Sequence, residues 1–284
     1  MVSSMAKEKP SKSTREKAAA ARAEQQAKEK RRERTVRIVG AIGVIVVVAL
    51  IIGLAVVIPR MSNSDNGGAN PLPSPNPDAA VPTGVFNATG EVPWGVPVGT
   101  APATAPLLEI WEDFQCPACG SLEEINGSGI QTLAQDGKVR LVWRPTTFLD
   151  NNLGNQASAY AVSAWGCAID AGKTTEYHDV VYSNQPTTEG EGWTQEQLIQ
   201  FGEEAGISGA PLDTFKQCVN NNTYLGWAVN STQAFYDANI QGTPFGLLNG
   251  QQIDTKILAD QTALEKAIAD AAAGVAPAPS PSGS

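Results

Sequence analysis

One histidine, His178, and four cysteines are all the imidazole and thiolate ligands that 284 residues offer, and this scarcity closes off several chemistries. A zinc site wants closely spaced ligands, yet Cys167 and Cys218 stand far along the chain from Cys116 and Cys119. Covalent haem attachment wants a histidine directly after a Cys-x-x-Cys pair, where this chain has Gly120. Cations are also scarce over most of the chain. Residues 1–37 hold 12 Lys/Arg against 5 Asp/Glu, whereas the remainder holds 8 against 24. So acidic a body cannot neutralise phosphates, which argues against nucleic acid as a partner. No internal repeat is present, and no Ala-x-Ala-like site follows the longest apolar run, which argues against a cleaved signal peptide.

That run, Ile38 to Ile58, is 21 residues without a charge, roughly 31 Å as a helix and enough to cross a bilayer. The positive-inside rule predicts a single-pass anchor with residues 1–37 as a cytoplasmic tail and everything beyond Arg60 outside the cytoplasm. All four cysteines then fall on the side where disulfides persist. Residues 59–83 are dominated by Ser, Asn, Gly, Pro and Asp, a composition expected to form a disordered linker, and residues 275–284 are expected to be a disordered tail. The stretch between them, 84–274, is long enough for one domain with a sizeable core.

Within it, Leu107 to Phe114 reads as a strand and Cys116 to about Ala134 as a helix interrupted near Asn126-Gly127, followed by a strand over Val139–Trp143. Five helical segments are expected next: Asn155–Ala171, Thr174–Ser183, Gln195–Ala205 with a Thr194/Gln197 capping box, Pro211–Asn220 and Thr223–Ala238. Strands return at Phe245–Leu248 and after Asn249-Gly250, and a helix is expected over Gln261–Ala272. The predicted order is β-α-β, a helical block over about 150–238, then β-β-α.

Cys116-Pro117-Ala118-Cys119 sits at the first strand-to-helix junction. There the first thiol meets unpaired backbone N–H groups and the helix dipole, both of which favour a thiolate, while the second lies one turn on. A redox pair is the reading these residues favour over a structural disulfide or a metal pair.

The order of elements around Cys-x-x-Cys resembles an α/β thioredoxin fold with an inserted helical subdomain, as in the DsbA family of extracytoplasmic thiol oxidoreductases. The residues that carry the likeness are Glu112 to Cys119, Glu176-Tyr177-His178-Asp179 with Ser183-Asn184-Gln185, and Gly242-Thr243-Pro244. The anchor, the acidic exterior and the second cysteine pair resemble the actinobacterial branch of that family. The resemblance implies a cis Thr243-Pro244 peptide beside the cysteines, with the Thr243 backbone pairing an extended substrate segment. It also implies disulfide donation to exported proteins with free thiols, by a monomeric ectodomain that needs no cofactor and is reoxidised by a quinone-linked membrane partner.

Two positions depart from the family pattern. Many relatives carry a buried acid six residues before the first cysteine to move protons to the second, and here that position is Ile110. Glu112 is the nearest substitute on the same strand face, and it reads equally well as a solvated strand-end carboxylate. Ala118 replaces a histidine found between the cysteines of the best-known members, so the Cys116 thiolate should be less stabilised and the disulfide a milder oxidant. Cys167 and Cys218, 51 positions apart in two helices of the insert, are expected to form a structural bridge rather than a second redox pair. His178 reads as a packed or capping helix residue, with an acid–base role the rival. The sequons at Asn87, Asn126, Asn221 and Asn230 are what chance gives in an Asn-rich chain.

Against disulfide donation stand a reductase or isomerase of exported proteins, and a non-catalytic thioredoxin-like binding module. The accessibility of Cys116 separates the last from the enzymes, a buried Cys116 favouring the module.

Overall fold

Five strands form the sheet at the centre of the computed structural model, which describes residues 71–274. In chain order they are β1 (Val96–Val98), β2 (Leu107–Glu112), β3 (Arg140–Pro145), β4 (Phe245–Leu248) and β5 (Gln251–Ile253), and across the sheet they run β1-β3-β2-β4-β5. The central pair, β2 and β3, is parallel, and all but the first residue of each is buried, as a parallel pair covered on both faces requires. β1, β4 and β5 each join antiparallel, on β3, β2 and β4 respectively. β1 was not anticipated: three residues with an exposed proline at their centre carry no period, and pairing with β3 is what makes them a strand.

After β2 the chain enters α1 (Pro117–Leu122), a π-helical turn (Glu123–Gly127) and α2 (Ser128–Gln135), all with right-handed helical backbone at their junctions. The interruption expected near Asn126-Gly127 is therefore a widened turn within one helical run. Between β3 and β4 come α3 (Phe148–Leu153), α4 (Ala157–Asp170), α5 (Thr174–Ser183), α6 (Gln195–Glu204), α7 (Ala210–Asn220) and α8 (Leu225–Asp237). After β5 come α9 (Thr255–Leu258) and α10 (Gln261–Ala272). The short helices α3 and α9 carry too few turns to show a period in sequence. The Thr194 hydroxyl accepts from the Gln197 N–H at 3.2 Å while Gln197 Oε1 accepts from the Thr194 N–H at 2.7 Å, closing the capping box of α6. The result is a mixed α/β thioredoxin-like fold with a helical insertion.

A disulfide between Cys167 of α4 and Cys218 of α7 ties two insert helices together, with Cα atoms 5.8 Å apart. Aromatic packing ties the insert to the sheet: Phe114, just after β2, meets Trp165 of α4 and Tyr182 of α5 edge-on or tilted, and Trp143 of β3 stacks on His178 with centroids 3.9 Å apart.

The linker expected over 59–83 needs correction for its second half. Residues 71–83 belong to the same compact unit as the sheet and the insert. The Asn76 N–H donates to Asn230 Oδ1 at 2.8 Å, Asn230 Nδ2 donates back to the Asn76 carbonyl at 2.6 Å, and the Thr83 N–H donates to Asp170 at 2.8 Å. Polar composition misleads here because hydrogen bonds to insert side chains, together with buried Pro82 and the packing of Val81 on the core, hold the segment. Among the described residues no helix is long and apolar enough to cross a membrane. The expected cytoplasmic tail, anchor and C-terminal tail lie outside the described residues.

Candidate active site

Cys116 is the N-cap residue of α1, with extended backbone at φ −75° and ψ 116°, so the chain leaves the sheet at that sulfur and coils immediately after it. Pro117 at the first helical position costs nothing, because the N–H it lacks would have no partner there. Gln185, just beyond α5, clamps the junction by donating to the carbonyls of Phe114 at 2.7 Å and Cys116 at 3.0 Å. Gly120 permits the clamp, since a Cβ there would stand 2.4 Å from Gln185 Oε1. Opposite lies the cis Thr243-Pro244 peptide, with the Cys116 thiol donating to the Thr243 carbonyl at 3.4 Å.

Both thiols of the pair are free, and their surroundings divide them. Cys119 is fully buried, whereas Cys116 keeps 7% of its surface, less than an exposed junction would leave, because the Thr243 segment covers it. A hydrogen bond from Cys119, aided by the Thr243 hydroxyl and the N–H groups of Cys119 and Ala118, outweighs burial and lowers the Cys116 pKa to about 6. Burial pushes Cys119 well up, and the charges of Cys116 and Glu112 push it further. One turn of helix thus holds a ready thiolate beside a thiol that resists ionising.

Glu112, the last residue of β2, is 5% exposed, so the solvated reading fails. It faces His178 of α5 at 3.2 Å from Nε2, while His178 Nδ1 stands 3.9 Å from Glu123 and 3.6 Å from Asp179. Burial works against a charged imidazole, yet the carboxylates of Asp179, Glu112 and Glu123 raise the His178 pKa to about 10. Burial, then the neighbouring Glu112, pushes the Glu123 carboxyl well above its usual range. Glu112, Glu123 and His178 bring ligand-type atoms within 4.8 Å of one another and are the described residues best placed to hold a cation.

A second buried network lies on the other side of the junction. Asp113 accepts from the N–H groups of Gln115 at 2.9 Å and Leu149 at 3.1 Å and from the Ser158 hydroxyl, and Asp150 accepts from the N–H groups of Ser158 and Ala159, each at 2.9 Å. Burial raises Asp113 to about 7 and Asp150 to about 6 despite these donors.

The structure therefore brings Cys116, Cys119, Thr243, Pro244 and Glu112 together, with Cys167 and Cys218 apart in the insert. Sequence reasoning passed over Glu123 and the contact of His178 with Glu112. The spacing held a signal: Glu123 and Gly127 follow Cys119 at intervals of four, on one helix face.

The family model described as Thioredoxin matches residues 96–270. No curated protein matches the chain. Among solved structures, MdbA, a thiol-disulfide oxidoreductase from Actinomyces oris, superposes with a TM-score of 0.55 at 20% identity, covering 72% of this chain and 96% of its own. Oxidised BdbD from Bacillus subtilis gives 0.55 at 20% identity, with 68% and 99% covered. MdbA from Corynebacterium diphtheriae gives 0.50 at 18% identity, with 59% and 89% covered. At these identities the likeness is one of fold.

Proposed function

Because this chain belongs to the thioredoxin family, we propose that its Cys116/Cys119 pair performs thiol–disulfide exchange, donating disulfides to exported proteins that carry free thiols. The observation that carries this reading is the opposite character of the two thiols beside the Thr243 segment, one acidic and retaining slight exposure, the other fully buried and reluctant to ionise. In the oxidised pair a substrate thiolate attacks Cys116 Sγ, the Cys116–Cys119 bond breaks, and Cys119 leaves with the electron pair and takes a proton. A second substrate thiolate then attacks the substrate sulfur of the mixed disulfide and releases Cys116 as its stable thiolate. The substrate loses two electrons and the enzyme pair gains them.

Thr243 would present its backbone to the substrate segment beside the sulfur, with Pro244 holding that turn, and Glu112 would supply the proton that Cys119 needs. The 7% exposure of Cys116 is the one observation that favours a non-catalytic module, and the acidity of its thiol outweighs it, since a purely structural pair has no use for a poised thiolate. Residues 38–58 would anchor the chain with this domain outside the cytoplasm. A quinone-linked membrane protein would reoxidise the pair, a role drawn from the resemblance to the DsbA family.

The test is oxidative folding. The oxidised full-length chain should introduce disulfides into a reduced, unfolded model protein, and Cys116→Ala should abolish this. Equal rates with and without Cys116 would leave the binding module as the better account.

A further inference from the structure

The active-site junction has two flanks. One brings the Thr243 carbonyl against the Cys116 thiol, and the other brings Gln185 against the carbonyls of Phe114 and Cys116. On the Gln185 flank, between the helical run that starts at Pro117 and the end of α5, lies a groove of about 690 Å³. Its lining begins at Pro117 and Gly120, beside the redox pair, and extends to Glu124 and Ser128. Thiol–disulfide exchange as set out above makes no use of it.

The chemistry of the groove is one-sided. Glu123, Glu124 and Asp179 supply three carboxyl groups to it, and none of the residues lining it is a cation. Glu124 is exposed and takes part in none of the ion pairs among the described residues. Asp179, half-exposed, accepts from Gln131 at 2.7 Å. Glu123 is different, since its side chain is only 6% exposed and its Oε1 is buried without a hydrogen-bond partner. Buried polar atoms nearly always find partners, so this acceptor in the wall of an acidic groove awaits a donor that the described residues do not supply.

We propose that this groove is a substrate subsite that receives a lysine or arginine side chain lying close in sequence to the cysteine being oxidised, so that the chain favours exported proteins whose cysteines have basic flanks. The proposal rests on the exchange reading above and adds a substrate class to it. From Cys116 to Glu124 the helical run covers about 12 Å, a distance that an extended substrate chain spans in about four residues. The basic side chain therefore belongs within about four residues of the reacting cysteine. Glu124 and Asp179 attract its charge, and Glu123 Oε1 accepts one of its N–H donors. No covalent bond changes in the groove. Its effect is on how fast a basic substrate meets Cys116 and how long it stays.

The experiment measures how fast the oxidised full-length chain is reduced by synthetic dithiol peptides that differ only in carrying lysine, glutamine or glutamate around their cysteines. An exposed ion pair is worth up to about fivefold, and a like-charge pair costs a similar factor, so the lysine peptide should outpace the glutamate peptide by about fivefold or more at low ionic strength. The ratio should fall toward one in about 1 M salt. Because a lysine also acidifies a neighbouring peptide thiol, the deciding quantity is the change in this ratio between protein variants, from which the peptide's own acidity cancels. Glu124→Gln should lower the ratio, and Glu124→Lys should bring it to about one or below. Asp213→Asn, which removes an exposed carboxylate of α7 outside the groove, should leave it unchanged. If Glu124→Lys keeps the wild-type ratio, or Asp213→Asn lowers it as much as Glu124→Gln does, the subsite is overturned and the exchange reading stands. If no peptide reduces the wild type, the exchange reading falls and the subsite with it.

Discussion

His178 Nε2 lies 3.2 Å from Glu112 Oε2, so the only histidine of the chain is spent on the carboxylate that ends β2, four residues before Cys116. The contact joins the insert to the sheet directly under the redox pair, with Trp143 of β3 stacked on the imidazole. Insert and active-site strand are therefore coupled electrostatically as well as by packing.

Breaking that pair should be costly. His178→Phe keeps the aromatic packing but leaves Glu112 buried without its partner, a change worth about 3–5 kcal/mol for a buried pair. His178→Gln, which can still donate to Glu112, should cost clearly less. Denaturant unfolding of both variants checks the order, and equal losses would show that volume rather than charge is at issue.

Cys116 should titrate near pH 6 in the reduced protein, followed by ultraviolet thiolate absorbance, with Cys119 silent until far higher pH. A value at or above the free-thiol pKa of about 8.5 would remove the basis for Cys116 as the leaving and attacking sulfur.

Asp113 predicts a pH dependence of stability. Its folded pKa of about 7 lies above the ordinary aspartate value of 3.8, so the folded state holds the proton more tightly. Its contribution is fully present below about 4 and is lost as pH rises through 7, with a slope of up to about 1.4 kcal/mol per pH unit. Asp150, raised to about 6, acts in the same direction. Asp113→Asn should flatten the decline between pH 4 and 7, and an unchanged slope by denaturant unfolding would contradict the assignment.

Replacing Cys167 and Cys218 by Ser removes the closure of a 51-residue separation and should cost up to about 4 kcal/mol of stability on the chain-entropy model. Exchange through Cys116 should survive in the folded fraction. Lost exchange in a variant that keeps its thermal transition would make the second pair a redox participant.

What the sequence disclosed follows from length and locality. Thr174–Ser183 and Gln261–Ala272 were legible to the residue because each has a full apolar stripe, and Phe245–Leu248 because Asn249-Gly250 marks its end. β1, α3 and α9 were invisible, being three, six and four residues long and defined by partners far along the chain. In the site, Cys-x-x-Cys and Thr243-Pro244 announce themselves, whereas Glu112 owes its buried partner His178 to α5, an element 62 residues downstream whose docking no local pattern reveals.

The central claim is that Cys116 meets the substrate and Cys119 does not. Membranes from cells making the Cys119→Ala chain should accumulate high-mass mixed disulfides between Cys116 and exported proteins, collapsing on reduction, whereas the Cys116→Ala chain should show none. Equal trapping by the two variants, or trapping by Cys116→Ala alone, would contradict the polarity of the pair and the exchange mechanism built on it.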